Sequence, residues 1–310
     1  MSRILFQKSA RGFRTVRGGI ISDIQKTLTG KGFDTKGVDG IYGTNSYKAV
    51  SEFQSQNGLD VNGAIDLDTW DKLMQQDIPT IQQRALQLTA AFEGHGFSKV
   101  VGNFDGAGIT WGIIGFTLKF GGIKDIIISV NQSDPGILDT CFGNLKNELL
   151  NVLEKPVSQQ IEWGDSISMG SGKYSVMDNW EDAFEELGNS KAAQEAQFKK
   201  VQHYFDRGQK DFEKFNLKSE MGYALCFDIA VQNGGVSKQE TGEINHELTD
   251  NPPADEQDVR EVIANVVAVN SNPRWVEDVR SRKLTIADGK GSVHGAQYNV
   301  KSWGIGEFDV

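Results

Sequence analysis

The sequence predicts a mainly α protein in two parts: a small three-helix domain, then a larger α+β module with a minor β element. Three observations lead there. Apolar residues recur at helical spacing through most of the chain, and strand-like stretches are few. Glycine is abundant and proline scarce, 35 against 6, which suits many turns between short elements. Charge also changes near residue 78. Residues 1–78 carry 10 Lys/Arg and 9 Asp/Glu, whereas the remaining 232 carry 22 and 33. We therefore expect domains at 1–78, with a core at 19–75, and at 79–310.

Residues 1–18 hold four arginines and few apolar residues, and read as a mobile lead-in. Residues 20–28 show helical spacing and stop at Gly30-Lys31-Gly32. Val38-Asp39-Gly40-Ile41-Tyr42-Gly43 is a turn-rich loop. A second helix is expected over 45–57, with Tyr47, Val50 and Phe53 on one face. A third over 66–74 presents Leu67, Trp70 and Leu73. The loop before each of these helices repeats, as Val38-Asp39-Gly40 and Val61-Asn62-Gly63. Phe53 and Trp70 lie on apolar faces and read as core.

Pro79 opens the larger module. The apolar helical run 81–92 ends at Glu93, beside Gly94-His95-Gly96. Residues 111–117 are β-branched and aromatic, a strand or a short helix, and 122–130 are open to the same two readings. Helices are expected at 144–153, 180–187, 191–215, 219–232 and 256–269. Asp228 lies within an apolar helix, where it needs a buried hydrogen-bond partner. Arg280-Ser281-Arg282-Lys283 reads as a solvated basic run, with one arginine bracing a carboxylate as the alternative. The glycine-rich stretch 289–298 lacks a phosphate-loop pattern and is open to use as a cleft wall.

Net charge is −10 and pI about 5.0, which argues against a nucleic-acid partner. No stretch approaches the length of a membrane span, so no membrane insertion is expected. Cys141 and Cys226 lie in apolar contexts and read as buried thiols, and no metal site or cofactor is expected. The first eight residues hold no run long enough for a secretory leader. Synthesis in the cytoplasm is the expectation, with release by other means if the protein acts outside. Nothing calls for a partner protein, and a monomer is expected.

Two carboxylates stand out. Glu93 closes a buried-looking helix against a glycine break. Asp105 follows twelve residues later in Asp105-Gly106-Ala107-Gly108-Ile109-Thr110, where the glycines allow tight turns. Glycoside hydrolysis needs such a pair: one acid donates to the leaving oxygen, the other activates water or attacks the sugar. The bland readings are an exposed helix-end glutamate and a turn aspartate capping its own loop. His95 is a candidate sugar contact or a bystander. Gln232 and Asn233 end a helix and are open to lining a cleft or to simple C-capping.

Two resemblances sharpen this. Gly32-Phe33, Val38-Asp39-Gly40-Ile41-Tyr42-Gly43, Ala49-Val50, Phe53-Gln54, Gly58-Leu59, Val61-Asn62-Gly63 and Thr69-Trp70 resemble the peptidoglycan-binding domain of the three-helix type. That resemblance implies docking on bacterial cell wall, with Asp39 and Tyr42 as candidate contacts. Asp105-Gly106-Ala107-Gly108-Ile109-Thr110 with Gly112-Ile113-Ile114-Gly115-Phe116 looks like the active-site region of the chitosanases of glycoside hydrolase family 46, within the lysozyme-like superfamily. It implies Glu93 as general acid, Asp105 as base and Thr110 as holder of the attacking water. The expected function is a peptidoglycan hydrolase cutting the glycan strand, laid out like a phage endolysin that acts in the host periplasm. A chitosanase, a lytic transglycosylase and a non-catalytic wall-binding or phage structural protein are the alternatives.

Overall fold

The computed structural model describes residues 2–94 and 96–310. Contacts divide the chain into two compact units, one built from residues up to Phe92 together with His203–Val310, the other from Glu93–Gln202. This grouping cuts the chain at other points than residue 78. The fold is mainly α, and the described residues form four small antiparallel sheets.

The first unit begins with β1 (Ile4–Phe6), α1 (Gly19–Gly30), α2 (Thr44–Gln56), β2 (Ile65–Asp66), α3 (Leu67–Met74) and α4 (Ile81–Glu93), whose last residue, Glu93, is counted with the second unit. In α1 the buried residues Ile21, Ile24, Gln25 and Leu28 make one stripe, and in α2 Ser46, Ala49, Val50, Phe53 and Gln54 make another. Asp66 caps α3 by accepting from Thr69 N at 2.8 Å. The loop repeat has a structural cause: each loop is clamped by a buried glutamine. Gln25 donates to Asp39 Oδ1 (2.8 Å), Ile41 O (3.1 Å) and Ser46 Oγ (3.0 Å), and accepts from Gly40 N (2.8 Å). Gln54 donates to Asn62 Oδ1 (2.9 Å), Ala64 O (2.8 Å) and Thr69 Oγ1 (3.0 Å), and accepts from Gly63 N (2.8 Å). Helix, loop and next helix start are thus tied together twice by the same device.

Residues 2–18 are not a loose lead-in. Leu5, Phe6 and Val16 are fully buried, β1 pairs with β2, and Tyr42 N donates to Val16 O at 2.9 Å. The arginines that suggested solvent are in part committed, since Arg3 pairs with Glu220. Three buried apolar side chains and a paired backbone order this segment despite its polar composition.

The second unit holds β3 (Val100–Val101), β4 (Thr110–Trp111), β5 (Phe116–Thr117), α5 (Gly122–Ser133), α6 (Ile137–Phe142), α7 (Lys146–Leu153), α8 (Val157–Ser166), β6 (Ser168–Met169), β7 (Ser175–Val176), α9 (Asp178–Gly188) and α10 (Lys191–Lys200). Residues 111–117 resolve as a hairpin: Trp111 faces Phe116 across it, and Gly112 and Gly115 carry the positive φ of the turn. Gln197 on α10 accepts from Ile113 N at 2.9 Å and donates to Phe97 O at 2.8 Å, fixing both flanks. Trp111 packs on Phe184 and donates to its carbonyl at 3.1 Å.

The first unit resumes with α11 (Gln202–Lys214), α12 (Glu220–Asn233), α13 (Lys238–Asp250), α14 (Glu256–Val269), α15 (Val276–Ala287), β8 (Lys290–Val293) and β9 (Ala296–Asn299). The helix expected over 191–215 is therefore two, α10 and α11. Helix α12 is buried on every side from Glu220 to Ala230 and forms the centre of this unit. The β8–β9 hairpin turns through His294 (φ 49°) and Gly295 (φ 77°), both left-handed. No helix among the described residues is long and apolar enough to cross a membrane.

Candidate active site

Glu93 is the last residue of α4 and half-buried. The turn before it is held firmly. Tyr298 OH donates to Ala91 O at 2.9 Å, His294 Nδ1 lies 3.1 Å from Phe92 O, and the Phe92 ring meets Tyr298 edge-on at 4.8 Å. The His294–Gly295 turn thus buttresses the end of this helix. His95 falls outside the described residues.

Asp105 is exposed, in a loop whose shape is fixed from several sides. Its own Oδ1 accepts from Ala107 N at 3.0 Å, the local turn that sequence allowed as the bland reading. Gly106 and Gly108 take φ of 77° and 86°. Asn103 Oδ1 accepts from Gly108 N at 2.8 Å and closes the loop on itself. Gly164 of α8 lets that helix approach Gly108 closely; a Cβ there would meet Gly108 Cα at 2.9 Å. Thr110 follows in β4, buried, paired with Val101 and Thr117. Glu93, Asp105 and Thr110 fall in one compact unit, with Asp105 and Thr110 joined by a short hydrogen-bonded loop.

The sequence did not single out the loop's outer supports. Asn103 Nδ2 donates to Asp165 Oδ1 at 2.7 Å, Asn103 N donates to Ser168 Oγ at 2.8 Å, and Lys173 pairs with Asp165. Lys173 and Asn103 together hold the Asp165 carboxyl below the usual carboxylate range. These partners stand 62 or more positions from Asn103, so local spacing gave no sign of them.

Asp228 is fully buried in α12. Thr89 of α4 donates to its Oδ1 (2.9 Å), Arg282 donates from Nη2 (2.8 Å) and Nε (3.0 Å to Oδ2), and Lys283 donates from Nζ (2.5 Å). Arg282 and Lys283 are themselves buried, so the solvated basic run expected there is instead the counter-charge of Asp228. Burial pushes this carboxyl up, but the two cations outweigh it and hold the group well below the usual range.

The remaining candidates lie in the first unit. Tyr42 is 0 % exposed and donates to Gly63 O at 3.1 Å, so it is a core residue closed to a wall ligand, a correction to its expected role. Asp39 remains exposed, but Oδ1 accepts from Gln25 and from Ile41 N, which gives it a loop-shaping function. Gln232 accepts from Lys283 at 2.6 Å. With Asn233 it lines a cavity of about 350 Å³ shared with Ser271, Asn272, Trp275 and Asp278.

Residues 17–73 match the family model described as "Putative peptidoglycan binding domain". Among solved structures, a chitosanase determined as a complex is similar at 21 % identity over 69 % of this chain and 94 % of its own, with a TM-score of 0.45. A native chitosanase from Bacillus subtilis MY002 follows at 20 % identity, over 69 % and 88 %, TM-score 0.45. A family 46 chitosanase from Gynuella sunshinyii with chitotetraose gives 16 %, again over 69 % and 88 %, TM-score 0.43. At such identities and TM-scores no residue role passes from them to this chain.

Proposed function

We propose that this chain binds bacterial cell wall through residues 17–73 and hydrolyses glycosidic bonds of the glycan strand with Glu93 and Asp105. What supports the reading is that a half-buried carboxyl at a helix end and an exposed carboxylate on a hydrogen-bonded loop fall in the same unit. In this reading Glu93 donates its proton to the leaving oxygen as the bond breaks. Asp105, open to solvent, takes a proton from the attacking water, and Thr110 at the far end of the loop helps place that water. The loop's ties to Asn103 and α8 keep the base from drifting, which is the protein's main contribution to orientation. The family match supports peptidoglycan as the substrate. A wall module beside a hydrolase also fits a phage endolysin.

Chitosan is the second reading, favoured by the acidity of residues 79–310, which suits a polycation. Mass spectrometry of digests of purified peptidoglycan and of chitosan tests both, reporting the bond cut and whether an anhydro end forms. Muropeptides with reducing ends support the proposal. Anhydro ends point to a transglycosylase, and no glycan products from either polymer would sink the hydrolase reading.

A further inference from the structure

The loop that carries Asp105 also carries an aromatic surface. Phe104, immediately before it, is 45 % exposed, and Tyr174 of the β6–β7 turn is 68 % exposed. Their rings stack with centroids 5.0 Å apart and planes 18° apart. Rings this open contribute little to folding, yet they are held in place. Gly102 N donates to Tyr174 O at 3.4 Å, and the Asn103–Asp165–Lys173 network ties the two loops together. Lys173 takes a left-handed backbone (φ 50°), a costly conformation for a residue with a Cβ. Gly172 leaves the space that the tyrosine ring uses: a Cβ there would come within 2.8 Å of it. On the other flank of the Asp105 loop, Lys119 N donates to Ala107 O at 3.1 Å, and the next residue, Phe120, is 81 % exposed.

We propose that Phe104 and Tyr174 form a stacking platform for one pyranose ring of the glycan, next to Asp105. The inference rests on the reading that Asp105 acts on a glycan. A hexopyranose presents an apolar C–H face and a rim of polar groups. An exposed aromatic face takes the first and leaves the rim free for hydrogen bonds, the usual division of labour in a specific site. Phe104 adjoins Asp105 in the chain, so a ring seated on the pair lies beside the proposed base. Because the ring face is what is recognised, the platform accepts amino sugars with or without the acetyl group. These two are positioning residues; the reacting atoms belong to the carboxylates.

The test uses the full chain with Glu93→Gln, titrated calorimetrically with soluble β-1,4-linked N-acetylglucosamine hexamers and, separately, glucosamine hexamers. Tyr174→Ala or Phe104→Ala should weaken binding about ten-fold. Tyr174→Phe should bind like the parent, because the ring and not the hydroxyl is used. Gly172→Ala should weaken binding by displacing the ring. In the active chain, Tyr174→Ala should raise KM while kcat stays within about two-fold, with an unchanged melting temperature. Binding of either hexamer with this pattern supports the platform and tells which sugar it prefers. Equal affinity of Tyr174→Ala and parent, or no binding of either hexamer by the parent, overturns it. A chain that binds in this pattern but never cleaves leaves the platform standing and removes the hydrolase reading. A chain that cleaves with KM unmoved by Tyr174→Ala does the reverse.

Discussion

Replacing Asp228 by asparagine probes the charge cluster at the centre of the first unit. The substitution keeps shape and removes a full negative charge from between two buried cations, Arg282 and Lys283. Breaking a buried ion pair from one side costs about 3–5 kcal/mol. Two features reduce that here. The remaining amide oxygen still accepts from Thr89 or Arg282, and Lys283 keeps Gln232 at 2.6 Å. We therefore expect a loss of about 2–4 kcal/mol. For a unit of this size that lowers Tm by roughly 4–15 °C. Equilibrium urea unfolding followed by circular dichroism reads the loss directly, and it should vary with pH. The folded carboxyl lies below its ordinary value, so its contribution is complete above the unfolded aspartate pKa of about 3.9 and drains away as pH falls toward the folded value. The gap between Asp228→Asn and wild type should hold from about pH 5 to 8 and narrow below about pH 4. Adding Lys283→Met should cost less in the Asp228→Asn background than in wild type, with a coupling on the order of 1–3 kcal/mol. A loss below about 1 kcal/mol, or a gap that does not narrow in acid, refutes the assignment of the cluster as an ionic core.

Four further outcomes follow from other parts of the molecule. Gln54→Ala strips the second loop of its clamp and should cost about 2–3 kcal/mol while abolishing co-sedimentation with purified cell wall; unchanged melting and binding would show that the clamp is dispensable. Gly304→Ala forces a side chain into a left-handed position (φ 69°) against Leu5 O and should destabilise by about 1–3 kcal/mol, read by thermal melting. Glu93→Gln should slow glycan cleavage by at least about 10²-fold in a dye-release assay. Asp105→Asn should do the same for a hydrolase, whereas retention of most activity there would indicate a transglycosylase.

How far the sequence could be read depended on whether a residue's neighbours were local. The stripes of α1, α2 and α3, the helix end at Glu93 and the tight turn at Asp105 all rest on short spacings, and they stand where those spacings put them, except that Tyr47 of α2 is exposed and Leu67 of α3 only half-buried. Helix α13 escaped notice because Ile244 is its one buried apolar residue, too little for a periodic signal. Helix α15 hid behind its basic run, whose charges answer to Asp228 more than fifty residues away. Tyr42 looked like a ligand contact because it sits in a loop. Its hydroxyl instead reaches across to the second copy of that loop, at Gly63. The break between α10 and α11 at Val201 left no mark in composition, since no glycine or proline stands there.

One consequence of the chain's path concerns the order in which it can be made. The first unit is assembled from both ends of the sequence: Arg14 N bonds to Gln297 O, Gln7 N to Ser302 O, and α12 takes Phe308 O at its first turn. On a ribosome the first two of these pairs emerge nearly three hundred codons apart. The stretch from Glu93 to Gln202 is continuous and can condense while synthesis is still under way, but the unit around α12 must wait for its closing residues. A nascent or prematurely terminated chain would therefore carry a finished wall-binding segment only if residues 19–75 hold together unaided, and would lack the support behind the end of α4.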